Sequence, residues 1–307
     1  MALTILEAAK LAANNGEYKK AGVLTSFAES SPLLRAMPVV TIPGNSYAWV
    51  RQADLPTVAF RAVNAAFTPN EGHVETRTEA LKLVGGEVDV DRALVQQMGP
   101  DVRSVHERMK AIALGQSVGA KIMSASLAVN PLEFDGIRAR YGGLAPTAAA
   151  NIISMAGAAL SIKKLDEAID AVDNAAGRRV LVMSQAMRRN ITAFLRTSVS
   201  IQTTRDEFGR QVYAYNGLDI LEIDENGNTS GATPADTSNV SVYCIALGES
   251  GVHMIEGMGG ISVRDLGEIP TAPVYRTRID WAVGLVDESV RCVSRVYGIT
   301  ESLTAVA

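Results

Sequence analysis

LKLVGGEVDVDRALVQ, residues 81–96, sets Glu87, Asp89 and Asp91 at every second position, with Val88 and Val90 between them. Alternate side chains of a β-strand share one face at intervals of about 6.5–7 Å, so three carboxylates point one way and the valines the other. Such a row can hold a metal, run acid–base chemistry, or form the solvated, salt-bridged side of a strand whose valines face a core. The third is expected here, since neither histidine nor cysteine accompanies the acids and Arg92 and Arg103 are close in sequence to neutralise them.

The surrounding chain places the row at the end of a long excursion. VVTIPGNSYAWVRQ, residues 39–52, is β-branched and aromatic around a Pro-Gly turn at 43 and 44, and HVETRTEALKLVGGEVDVD, residues 73–91, returns with strong alternation. Between them, Leu55 to Asn70 has too few regular apolar positions to pack. A two-stranded excursion of this kind is marginal in water and needs something to lie on. After Gly99-Pro100, Val102, Val105, Met109, Ile112, Val118, Ile122 and Met123 recur at helical spacing and predict a helix of about 25 residues from Asp101. Before the excursion, residues 1–38 read as an arm of short helices that cannot bury enough apolar surface to stand alone.

Further on, Leu165, Ile169 and Val172 predict one helix, RRVLVM at 178–183 a buried strand, and Met187, Ile191, Phe194 and Leu195 a second helix. QVYAYNGLDILEID predicts a hairpin turning at Asn216-Gly217, a pair favoured where both central residues need positive φ. A polar loop, ENGNTSGATPADTSN, precedes a final third of strands and turns that includes VYRTRIDWAV at 274–283. The order of elements is α+β with a protruding part.

Composition narrows the function. The chain has 307 residues, 47% hydrophobic and 20% charged, so it can bury a large core. Its 33 acids against 29 bases give a net charge of -4, which argues against a dedicated nucleic-acid binder. The opening MALTILEAAKLAANNGEYKK lacks a basic n-region, and no run of 18 apolar residues occurs, so a soluble protein made in a cytoplasm is expected. Cys244 and Cys292 read as small buried hydrophobes, with one disulfide between them left open.

Devices for catalysis are scarce. Gly115-Gln116-Ser117-Val118-Gly119 satisfies the G-x-S-x-G elbow, with His253 as the base of a serine hydrolase, but it falls inside the long helical pattern rather than after a strand. Two glycines in a closely packed helix are the competing explanation. The stretch from Asp224 starts like a calcium loop and then fails, with Thr229 where glycine is required and Ala235 where a bidentate acid is required. His73, His106 and His253 are too scattered for zinc. Arg188-Arg189 reads as a salt-bridged or solvated face ahead of a phosphate site. Neither a Walker nor a dinucleotide-binding glycine pattern is present, and no cofactor is expected.

The order of specific phrases resembles the major capsid proteins of tailed bacteriophages, whose fold is shared with encapsulin shells. The phrases are ESSPLLRAMP at 29–38, VAFRAVN at 58–64, GGEVDVDRALVQ at 85–96, FDGIRARYGG at 134–143, VLVMSQAMRRNI at 180–191 and FGRQVYAYNGLDILEID at 208–224. The resemblance implies an N-terminal arm at 1–38, an extended hairpin loop with its base strands at 39–97, and a spine helix with a peripheral domain at 98–144. It further implies an axial domain at 145–248 and strands returning to the peripheral domain at 249–307. It implies a coat protein without enzymatic activity, assembled in the bacterial host cytoplasm into the pentamers and hexamers of an icosahedral head around double-stranded DNA.

Portal protein and a scaffolding protein that is either separate or absent are the implied partners, a decoration protein is left open, and the packaged DNA is expected to be touched only non-specifically, with no membrane. Contacts between subunits are expected from Trp49, Arg51, Phe60, Arg61, Glu75 and Arg77 on the hairpin and from the row Glu87, Asp89 and Asp91. Some capsid proteins of this type cross-link through a lysine on the loop; no lysine lies between Lys20 and Lys82, so noncovalent cohesion is expected. An encapsulin-like compartment is the alternative use of the same architecture.

Overall fold

The structure, a computed structural model, describes residues 3–54, 56–99, 101–141, 151–173, 176–198, 203–205, 211–223 and 240–300. The chain opens with a short strand, β1 (Leu3–Thr4), and three helices, α1 (Ile5–Asn14), α2 (Tyr18–Ser30) and α3 (Pro32–Ala36). Thr4 and Glu7 form a reciprocal capping box that starts α1, the Thr4 amide donating to Glu7 Oε2 at 2.8 Å. Ser31 caps α3, with Pro32 at its first position. The arm is part of the main core: Phe27, Ala28, Leu33, Leu34 and Met37 are fully buried.

The Pro-Gly turn at 43 and 44 sends its two sides into different sheets. β2 (Pro38–Ile42) joins the large sheet, while β3 (Ser46–Asp54) pairs only with β4 (His73–Ala80) in a separate two-stranded ribbon. Gly44 has φ +120°, a conformation that suits glycine. The return run is likewise divided, at Leu81, between β4 and β5 (Lys82–Asp91). Next come a short helix, α4 (Arg92–Met98), absent from the sequence reading, and α5 (Asp101–Ser124). The 24 residues of α5 span roughly 36 Å at 1.5 Å per residue.

The two glycines of the G-x-S-x-G stretch sit where α2 crosses α5. A Cβ on Gly115 would strike the Ser30 hydroxyl and lie 3.2 Å from the Phe27 Cα; one on Gly119 would strike Ser31, 2.7 Å from its Cβ. Close helix packing therefore explains both glycines.

The remaining elements are α6 (Ile137–Tyr141), β6 (Ile152–Ser154), α7 (Ile162–Ala171), β7 (Arg178–Met183), α8 (Gln185–Ser198), β8 (Thr203–Arg205), β9 (Gln211–Tyr215) and β10 (Leu218–Glu222), followed by β11 (Val240–Leu247), β12 (Val252–Gly257), β13 (Ser262–Glu268), β14 (Val274–Asp287) and β15 (Val293–Ile299). Leu165 and Ile169 on α7, Val172 just after it, and Met187 and Ile191 on α8 are buried as their spacing predicts; the side chain of Leu195 lies outside the described residues. Asn216 and Gly217 both have positive φ, 50° and 77°, as a type I′ hairpin turn requires. The calcium-like stretch from Asp224 to Ala235 lies outside the described residues.

Every described strand except β3 and β4 belongs to one connected sheet with two parts. In one part β12 lies between β2 and β14, and β14 pairs with β13 and β5. In the other, β11 lies between β7 and β15, with β10, β9 and β8 beyond β7 and β6 beyond β15. They meet at one register pair, Leu247 with Val252. β15 pairs antiparallel with β11, and its Val293 and Val296 are buried.

Candidate functional site: a charge ladder and a hairpin root

The acidic row occupies β5, where Val90 is buried and Val88 half-buried while Glu87, Asp89 and Asp91 face out. Opposite it, β14 carries arginines at the same period: Glu87 is in register with Arg278 and Asp89 with Arg276. Arg276 grips Asp89 with two bonds, Nε to Oδ1 and Nη2 to Oδ2, both 2.7 Å. Its Nη1 also reaches Glu87 at 3.0 Å, and Arg278 Nε donates to Glu87 at 2.8 Å. The bond from Arg276 holds the Asp89 carboxyl below its usual range. Asp91 stands opposite Val274 and does something else, accepting the Ala93 amide at 2.7 Å as the N-cap of α4.

Arg92 and Arg103, expected to neutralise the row, take other acids. Arg92 pairs with Glu268 at 3.2 Å. Arg103 rises from α5 onto the opposite face of the sheet, where it meets Asp265, Glu107 and the buried Thr277. Thr277 sits between Arg276 and Arg278 on β14, so it points away from the ladder. The true partners were legible in VYRTRIDWAV, whose arginines alternate with the period of the acids.

The ribbon of β3 and β4 ends in a long tip over residues 56–72. Val58, Phe60, Val63 and Phe67 are exposed there, Val58 at 96%. Arg61 lies over the Phe67 ring, 5.1 Å from its centroid, and donates to the Ala65 carbonyl at 3.1 Å. Phe60 is fully exposed, and Arg77, half-exposed, pairs with Glu75 at 2.9 Å.

At the root the pattern reverses. Trp49, Arg51 and Asp287 are each only 6% exposed. Trp49 Nε1 donates to the Asp287 carbonyl at 2.9 Å; Arg51 Nη1 donates to Asp287 Oδ2 and Nη2 to Glu75, both at 3.0 Å. From α6, Arg140 Nη1 reaches Asp287 Oδ1, Nη2 donates to Glu79 at 2.9 Å and to the Leu285 carbonyl at 2.8 Å, and the Tyr141 hydroxyl donates to Asp287 Oδ2 at 3.1 Å. Tyr47 adds a bond to Glu288 at 3.1 Å. Burial raises the Glu79 carboxyl more than Arg140 lowers it, with Asp135 and Asp287 adding to the rise. Burial works against the Arg140 charge too, but the Asp287 and Glu79 carboxylates outweigh it and raise its pKa.

The nine residues singled out from the sequence therefore fall into three places: Trp49 and Arg51 at the root with their register partners Arg77 and Glu75; Phe60 and Arg61 at the tip; Glu87, Asp89 and Asp91 on β5. Asp287, Arg140, Tyr141 and Glu79, distant in sequence, went unread. An acid closing the apolar run WAVGLV at 281–286 is the local signal for Asp287.

The hydrolase pair is not assembled. Ser117 is exposed on α5, while His253 is buried on β12, where burial lowers its pKa and the Gly248 backbone bonds to it. Among the described residues no group of three or more His, Cys, Asp or Glu could hold a metal, and no helix is long and apolar enough to cross a membrane. Cys244 and Cys292 are free thiols, both pushed up to about 12 by burial. Arg188 pairs with Glu222, consistent with a salt-bridged face.

Residues 15–162 match the family model of the major capsid protein GP7. Among solved structures the chain is similar to the SrpI encapsulin of Synechococcus elongatus PCC 7942, with TM-score 0.65 and 14% identity over 88% of each chain. It is equally similar to the capsid of cyanophage A-1(L), with TM-score 0.65 and 14% identity over 88% of this chain and 93% of that one. Mycobacterium phage Bobi follows with TM-score 0.59 and 15% identity over 87% and 89%. No curated protein matches the sequence. The fold is that of tailed-phage capsid proteins.

Proposed function

We infer that this chain, which has the capsid fold of tailed bacteriophages and matches the major capsid protein GP7 family over residues 15–162, is a major capsid protein that self-assembles into an icosahedral head around double-stranded DNA. The observation that carries this reading is the hairpin: its root is fixed inside the subunit, while its tip leaves Val58, Phe60, Val63 and Phe67 exposed. A tip of that kind is stabilised when a neighbouring copy supplies the missing surface. Phe60, Arg61 and Arg77 are the hairpin residues placed to make such contacts. Trp49 and Arg51 act from within the subunit.

In this reading 98–144 contributes the spine helix and peripheral part, 145–248 the axial part, and pentamers and hexamers close the shell in the host cytoplasm. The ladder of Glu87 and Asp89 holds β5 to β14, with its outer face free for a neighbour. Cohesion is noncovalent, since the hairpin has no lysine before Lys82. A portal protein, a separate scaffolding protein and a decoration protein complete the particle. The role is structural, not catalytic.

Deleting residues 52–70 tests this. The shortened chain is expected to fold, with cooperative thermal unfolding, and to form no shells on sedimentation; normal shells from it would overturn the assigned role of the tip. The contents of wild-type particles separate the two uses of the fold, DNA for a phage head and a protein cargo for a compartment.

A further inference from the structure

We propose that Asp287 is the latch that fixes the direction in which the hairpin leaves the subunit, a positioning residue for assembly rather than a contact residue. The geometry stands on its own, but its consequence for shells rests on the capsid reading. The hairpin joins the body through two single-chain connections, around Pro43-Gly44-Asn45 and at Leu81, and its strands share no sheet with the body. Left to those connections, a two-stranded ribbon would swing about them.

Asp287, the last residue of β14, collects bonds from both sides of that joint. Arg51 approaches from the hairpin at 3.0 Å and Tyr141 from α6 at 3.1 Å, both on Oδ2, while Arg140 takes Oδ1. The backbone carbonyl of Asp287 holds Trp49 at 2.9 Å, and Trp49 packs with Ile42, Ile255 and Val286 into a small apolar cluster that shields the joint. Arg140 also reaches Glu79 on β4, so both hairpin strands are tied to the same end of β14. Swinging the hairpin would break the buried Arg51–Asp287 pair together with the Trp49 bond to the Asp287 carbonyl, and breaking a buried, hydrogen-bonded pair is strongly unfavourable. An amide at position 287 carries no charge and turns its NH2, itself a donor, toward one of the two guanidinium groups that the two carboxylate oxygens now receive.

The experiment uses the full chain carrying Thr76→Cys on β4 and Val129→Cys on the body, both exposed sites, while the buried Cys244 and Cys292 stay unlabelled. Spin labels on unassembled subunits then report the distance from hairpin to body by pulsed electron resonance. One narrow distribution is expected in the parent, and its loss, to a broad or shifted one, in Asp287→Asn and Arg51→Gln, together with loss of shells. Arg51→Gln leaves the carboxylate with Arg140 and Tyr141, so it carries the test if Asp287→Asn does not fold. An unchanged distribution in a folded variant overturns the latch. A narrow distribution in a parent that forms no shells overturns the capsid reading and leaves the latch standing.

Discussion

Asp89 and Glu79 are carboxylates ten residues apart on successive strands, yet their surroundings move them in opposite directions. Asp89 is lowered from 3.8 by its bond from Arg276, and Asp265, Glu75 and Glu133 are lowered by bonds from Arg103, Arg51 and Lys121. A lowered folded-state value means stability that is present above the unfolded value and lost as pH falls through the folded one. Glu79 and Glu288 are raised from 4.5 by burial, so their contribution runs the other way, present below the unfolded value and lost as pH rises through the folded one. Among the described residues the lowered acids outnumber the raised ones, and stability is expected to fall on acidification below about pH 4. Asp89→Asn should flatten that fall, measured by urea unfolding between about pH 3 and 6. An unchanged slope would mean that the ladder contributes nothing to the folded state.

Among the helices, the crossing of α2 and α5 sets a close steric constraint. Alanine in place of glycine ordinarily stabilises a helix by up to about 1 kcal/mol. At Gly119 the added methyl meets Ser31, which is buried and caps α3, so it has little room to withdraw. Overpacking of this kind costs about 1–3 kcal/mol. Gly119→Ala is therefore expected to lower the thermal midpoint despite its better propensity, and a higher midpoint would show that the helices are not in close contact there. The hairpin ribbon is governed differently. β4 is exposed at every position but the half-buried Glu75 and Glu79, and among the described residues of β3 only Trp49 and Arg51 are buried, where they enter the body.

At the scale of the whole molecule, what could be read from the sequence was periodicity. The spine helix from Asp101, the Asn-Gly hairpin, the buried β7 and the outward face of Glu87 and Asp89 follow from spacing alone, because each depends on residues close in the chain. The partners of those faces do not. Arg276 lies 187 residues from Asp89, Asp287 lies 236 from Arg51, and only the fold brings them together. The division of 73–91 at Leu81 escaped for the same reason, since alternation continues across the break while the pairing partner changes from β3 to β14. The ordered phrases that resemble phage coat proteins supplied the architecture that local patterning could not.

That architecture makes one demand on the protein in solution. A subunit with a latched hairpin, an exposed apolar tip and a capsid fold should close upon copies of itself. Electron microscopy of the purified full-length protein tests this most directly. Closed polyhedral particles of uniform size are the expected result; a uniform population of single subunits, at concentrations where the protein is folded and soluble, would contradict it.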